Sequence, residues 1–219
     1  RRARPVRVRC GDDGPGRPWP LCLALAGMDL AKRRSPELAQ RRVAARALNR
    51  ARGRIGDPAF TFDRMMDACE ARGLTCAFNF MPGHTEPALD ANYDLDDPDV
   101  QWLLRRVAKR GHTIGIHPSY RTMDDGQMLI DQATHLRRIC ASLGIELDAL
   151  GGRQHYLRWS ARHSWRDWAA AGLAADSSVG FADRLGFRCG TSRPFTVFDS
   201  AARRPLALRE NPLVAMDVA

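Results

Sequence analysis

From residue 57 onward the hydrophobic positions switch repeatedly between a period near 3.6 and a period of two, the pattern of alternating helices and strands. A helix is predicted over 60–72, with Phe62, Met65, Met66 and Cys69 on one face and Gly73 at its stop. Thr75–Met81, TCAFNFM, reads as a buried strand. Residues 82–97 have no period and many turn formers, which predicts a long loop at a strand end. A helix over 98–110 leads into a strand, His112–Ile116, which stops at His117-Pro118-Ser119-Tyr120. A helix over 125–143 carries the stripe Leu129, Ala133, Leu136 and Cys140. The chain then runs through 149–156, a helix over 162–171, a short strand over 173–176, and strands over 195–198 and 206–210. This rhythm predicts an α/β fold.

The first quarter is patterned differently. Residues 4–10 alternate Val6, Val8 and Cys10 with arginines and read as a short strand running into Asp12-Asp13-Gly14-Pro15. From Pro20 to about Arg54 the period is helical, and Arg41, Arg42, Arg46 and Arg50 form a basic face. Two regions are therefore expected: a basic, partly helical segment over 1–54 and an α/β domain over 55–219.

Several predicted strands end in residues that carry chemistry: Asp12/Asp13, His117, Arg153, Asp176 and Glu210. One polar strand end means little. Five in one α/β chain gain meaning because a barrel brings the C-terminal ends of its strands to one mouth. A carboxylate and an imidazole can hold a divalent metal such as zinc, and a second carboxylate can act as base toward its water.

Charge alters this picture only locally. The net charge is +9, but residues 1–54 carry 15 Lys+Arg against 4 Asp+Glu and the remainder is near neutral. An Arg-rich arm can bind nucleic acid. No aromatics interleave with these arginines, so a solvated helix face is the better reading and nucleic acid ranks last among the partners. No apolar run approaches the roughly 18 residues of a membrane span, and no signal peptide is recognisable. The six cysteines make no C-x-x-C pair. Cys22, Cys69, Cys76 and Cys140 sit in apolar patterns and are expected to be buried thiols in a reducing, cytoplasmic setting.

The motifs resemble those of the polysaccharide deacetylases, the NodB-homology proteins of carbohydrate esterase family 4. Asp12-Asp13-Gly14-Pro15 resembles the first motif, Gly111 to His117 the segment carrying the second, and Gly152-Arg153-Gln154-His155-Tyr156 the third. The stretches RQHYLRW, DSSVGFADRLGFRCGT and LRENPLVAMD resemble a bacterial branch of deacetylase-like proteins more closely still. The resemblance is specific over roughly 57–217 and weak over 1–54. It implies a deformed (β/α) barrel and metal-dependent removal of an N- or O-linked acetyl group from a carbohydrate. It implies Asp12 as base, Asp13 and His117 as ligands of zinc or another divalent metal, and Arg153 as the residue orienting the base. Tyr120, His155, Tyr156, Asp176 and Glu210 are the expected substrate-facing residues, with Trp159 a further ring for stacking.

The chain departs from the family in two places. The second metal histidine should follow His117 by four residues, where this chain has Arg121. His112 precedes His117 by five residues, which points it to the opposite strand face and makes it a structural strand-start residue. The last motif, a strand with a histidine acting as general acid, is not met before Ala219, so the resemblance implies a barrel cut short. A non-catalytic carbohydrate-binding relative is therefore the alternative. His84 and His135 are expected at the surface, and Trp165 and Trp168 as packing residues.

Overall fold

A computed structural model describes residues 4–6, 36, 40 and 61–216. The expected carboxylates Asp12 and Asp13 and the basic helix face lie outside the described residues. Two compact units are present, and β1 (Arg4–Val6) belongs with the chain from Thr75 onward. The other unit runs from Arg9 to Leu74 and includes α1 (Phe62–Glu70), which has Phe62 and Met66 buried. Cys69, expected to be buried, is only half-buried on that helix.

The larger unit is an α/β fold on a seven-stranded sheet. Its strands are β1, β2 (Cys76–Phe80), β3 (Thr113–Ile116), β4 (Gly151–Gly152), β5 (Ala175–Asp176), β6 (Phe195–Asp199) and β7 (Arg204–Glu210). The sheet order is β1-β2-β3-β4-β5-β7-β6. Every neighbouring pair is parallel except β6 and β7, which form an antiparallel hairpin. A parallel sheet needs crossover connections, and the helices supply them. These are α2 (Pro98–Lys109), α3 (Gly126–Ser142) and α4 (Ser164–Ala170).

Local sequence explains these helices. In α2, Asp97 caps the N-terminus by accepting a hydrogen bond from the Asp99 N–H at 2.9 Å, and Pro98 opens the first turn. Its buried face is Val100, Leu103, Leu104 and Val107, the i, i+3, i+4, i+7 stripe. Each such side chain taken out of water contributes about 1.5–3 kcal/mol. Gly111 then takes φ 72°, a left-handed turn that suits glycine, and the chain enters β3 two residues later. In α3 the buried stripe runs Leu129, Gln132, Ala133, Leu136, Ile139 and Cys140. Gln132 is the polar member of that stripe, and its amide reaches the loop after β3.

The register aligns the strand ends. Phe80 pairs with Ile116, Ile116 with Gly152, Gly152 with Asp176, and Asp176 with Glu210. One row thus crosses five strands at steps of about 4.8 Å. The ladder continues one residue further: His117 N–H donates to the Phe80 carbonyl at 2.7 Å, Arg153 N–H to Ile116 at 3.0 Å, Ser177 N–H to Gly152 at 3.0 Å and Asn211 N–H to Asp176 at 2.7 Å. The approach of β4 to β3 is close. A Cβ on Gly152 would lie 1.9 Å from the Ile116 carbonyl oxygen, so only glycine permits this register.

Among the described residues no helix is long and apolar enough to cross a membrane.

Candidate functional site

His117 is the first residue past β3 and is 6 % exposed. Its Nδ1 lies 2.7 Å from the Arg153 carbonyl oxygen. A carbonyl only accepts, so Nδ1 carries the hydrogen and Nε2 is the basic nitrogen of the neutral ring. That Nε2 stands 3.0 Å from Nδ1 of His155, and the two rings meet edge to face at 4.9 Å. Nε2 of His155 in turn faces the Leu89 carbonyl oxygen at 2.7 Å. It is also 3.8 Å from Oδ1 of Asp90.

Asp90 organises the long loop over 82–97. Its Oδ2 accepts from the N–H groups of Thr85 at 2.6 Å and Glu86 at 2.7 Å, and its Oδ1 accepts from the Tyr120 N–H at 2.8 Å. Burial alone would raise its pKa, but the N–H groups of Glu86, Thr85 and Tyr120 outweigh burial and hold it below the usual carboxylate value. Asp90 is therefore an anion that ties the loop after β2 to the loop after β3. The sequence reading missed it because an aspartate in a turn-rich stretch carries no spacing that marks it out.

A second buried network fixes the loop after β3. Ser119 N–H donates to Gln132 Oε1 at 3.0 Å, and Gln132 Nε2 donates back to the Ser119 hydroxyl at 2.6 Å. Gln154 Nε2 donates to the Ser119 carbonyl at 3.1 Å and the Thr122 hydroxyl at 2.9 Å. Tyr120 opens the 3-10 turn Tyr120–Met123 that follows. Arg121 is exposed and donates to Glu86 Oε2 through Nη2 at 2.6 Å and Nε at 3.1 Å.

Arg153 lies at the end of β4 and is 3 % exposed, with Nε donating to the Ser177 carbonyl at 3.1 Å. After it, Tyr156 and Leu157 take φ values of 58° and 53°, two consecutive left-handed residues. Each costs about 1–2 kcal/mol, and such strain gathers at functional sites. The result is that the His155 ring turns inward while Tyr156 stays 55 % exposed, 4.6 Å from His155 and 5.7 Å from Tyr120. The Arg158 guanidinium covers the Tyr120 ring at 4.2 Å.

Asp176 and Glu210 form a separate cluster on β5 and β7, both fully shielded from solvent. Asp176 Oδ1 accepts from the Ser178 N–H at 2.9 Å and from the Ser178 hydroxyl. Glu210 accepts from the Trp165 indole at 3.1 Å and the Val179 N–H at 3.2 Å. Trp165, expected only to pack, thus also serves a carboxyl group. Burial raises the Glu210 pKa, the neighbouring Asp176 charge raises it further, and the group is pushed to about 9. Burial likewise raises Asp176, against the opposing hydrogen bonds from Ser178. The two acids hold a proton between them at neutral pH.

The remaining histidines are accounted for locally, His163 by Asp167 Oδ2 at 3.0 Å from its Nδ1. His112, 7 % exposed, accepts the Cys76 N–H on Nδ1 at 3.2 Å and meets the Phe78 ring edge-on at 5.9 Å. His84 is exposed beside Asp94. His135, expected at the surface, is half-buried, with Nδ1 2.9 Å from the Pro82 carbonyl oxygen.

The structure brings His117, Arg153, His155, Tyr120 and Tyr156 together and places Asp176 and Glu210 on the row one residue before His117 and Arg153. Among the described residues no group of three or more His, Cys, Asp or Glu side chains is arranged to hold a metal ion. The donor chemistry of His117 nevertheless suits a metal: one nitrogen is committed to a carbonyl, which fixes the tautomer and leaves the other basic. The chain was compared with family models, curated proteins and solved structures, and none of the three gives a match.

Proposed function

We propose that the chain is a metal-dependent hydrolase that removes an acetyl group from a carbohydrate, built on a deformed (β/α) barrel. The sequential strand order from β1 to β5 supports the barrel, because a singly wound sheet converges its strand ends. The observation that carries the functional reading is His117: a buried imidazole at a strand end, with Nδ1 anchored on the Arg153 carbonyl and Nε2 turned inward.

In this reading His117 holds zinc or a similar divalent ion through Nε2, and Asp13 is the carboxylate the resemblance implies beside it. The ion, when bound, polarises the acetyl carbonyl and acidifies water. The chain's own residues do the rest. The Arg153 main chain sets the His117 tautomer, and the Ser177 carbonyl holds the Arg153 guanidinium. Asp12 takes a proton from the attacking water, as the resemblance implies. Tyr156, exposed on its strained turn, offers a flat face to a sugar ring, and Tyr120 packs edge to face beside it under the Arg158 guanidinium.

A carbohydrate-binding relative without catalysis is the second reading, favoured by Arg121 standing outward where the family has a histidine. One experiment separates the two. Acetate release from N- and O-acetylated oligosaccharides is measured with zinc, with chelator, and for His117→Ala. The hydrolase reading expects release that zinc supports and that chelator and the substitution both abolish. Sugar binding that survives chelator, with no acetate from any substrate, would favour the binding protein.

A further inference from the structure

The loop between β5 and β6 is tied down at its base and apolar at its tip. It is built around the Phe181 ring. The Arg184 guanidinium covers that ring at 4.2 Å, and a Cβ on Gly186 would lie 3.2 Å from its Cε2, so the Gly186 backbone packs against it. Gly186 N–H donates to the Val214 carbonyl at 3.0 Å, Arg188 Nη1 to the Gly180 carbonyl at 3.2 Å and Gly190 N–H to the Phe187 carbonyl at 2.8 Å. Cys189 Sγ adds a weak bond to the Val179 carbonyl at 3.9 Å. The chain around the tip is thus fixed, yet Leu185 is 74 % exposed and Phe187 56 %. The two flank Gly186. An ordered backbone that holds two large apolar side chains in water is a feature of interaction surfaces.

The charge around the tip decides the occupant. Residues 181–193 hold Arg184, Arg188 and Arg193, all exposed, against Asp183 alone. Asp183 Oδ2 lies 3.5 Å from Arg184 Nη1 at the surface, which leaves the loop net positive. Two copies of the chain meeting through this loop would set the same arginines against each other. A sugar ring gains from a flat aromatic face, and Leu185 has none. A bilayer with anionic lipids satisfies both halves of the pattern, because acyl chains take up apolar side chains and phosphates attract arginines. We propose that the loop over 181–193 docks on an anionic lipid surface. Leu185 and Phe187 enter the boundary between headgroups and acyl chains, and Arg184, Arg188 and Arg193 meet the phosphates. Such docking needs no membrane-spanning helix, and it is independent of the hydrolase reading.

The test is co-sedimentation of the full chain with vesicles of phosphatidylcholine, alone and mixed in equal parts with phosphatidylglycerol. The parent should bind the mixed vesicles, ignore the neutral ones and come off as salt rises. The basic segment over 1–54 also attracts anions, so the deciding variant keeps every charge: Leu185→Ser with Phe187→Ser. It should bind roughly 10-fold more weakly or worse. Arg184→Gln with Arg193→Gln should weaken binding about 5-fold for each arginine. Phe198 is also exposed but lies on β6, and Phe198→Ser should match the parent. Hydrogen exchange in the unmutated chain gives a readout independent of variant folding: mixed vesicles should slow the amides over 184–188. If the double serine variant binds like the parent, or Phe198→Ser weakens binding as much, the contact lies elsewhere and the inference falls. It falls also if the parent ignores both kinds of vesicle. A lipid-free dimer of the parent in sedimentation velocity, lost in the double serine variant, would make the occupant a second copy and overturn the lipid reading.

Discussion

At the scale of single residues, the interior of this protein holds one carboxyl group as an anion and another protonated, for different reasons. Asp90 is charged because three backbone N–H groups point at it. Asp90→Asn keeps the shape and removes the charge, and should cost about 1.5–3 kcal/mol, the range for hydrogen bonds to an ionised group. Urea denaturation at pH 7 measures it. Glu210 is protonated because burial and Asp176 push its pKa from the ordinary 4.5 to about 9. The native state therefore binds a proton that the unfolded chain has lost between those values. Stability should fall as pH rises through that window, with a slope of up to about 1.4 kcal/mol per pH unit. Glu210→Gln should flatten the slope, and denaturation curves at pH 5, 7 and 9 decide it. Neither residue's state is legible in sequence. Glu210 was recognisable as a polar strand end, but its protonation depends on Asp176 lying directly opposite in the register, and register is not written in composition.

Among the elements, the amphipathic helices were the plainest to read. The stripe of α3 follows from the 3.6 period, and the observed Gly126–Ser142 lies within the expected 125–143, with Asp125 as the cap just outside the helix. The strand β4 was the hardest, because it is only Gly151–Gly152 and has no side chain to set a period. Its position comes instead from close backbone approach. Gly152→Ala should therefore cost about 3 kcal/mol or more, since a methyl group 1.9 Å from the Ile116 oxygen forces β3 and β4 apart. A thermal melt followed by circular dichroism tests this. A modest loss, below about 1 kcal/mol, would show that the two strands can separate without disturbing the core. Helix capping predicts a milder effect: Asp97→Ala should cost about 1 kcal/mol.

For the molecule as a whole, the sequence was enough to anticipate an α/β chain several of whose strands end in polar residues. The hydrophobic period sets the elements, and parallel pairing of successive strands brings those ends to one edge of the sheet. It did not foresee that His155 turns toward His117, because that depends on two left-handed residues that no pattern of polarity predicts. Nor did it foresee the clasp that Asp90 makes between the loops after β2 and β3. That clasp has a practical consequence. The loop over 82–97 is long and irregular, the kind of segment a protease cuts, yet its Leu89 carbonyl is bonded to the His155 ring and Tyr93 holds the Met81 N–H at 2.6 Å. Whatever steadies the His155 ring also steadies the loop. Digestion by chymotrypsin at Tyr93 should quicken in Asp90→Asn, so a gel of cleavage fragments would report whether a buried carboxylate still holds its three N–H groups.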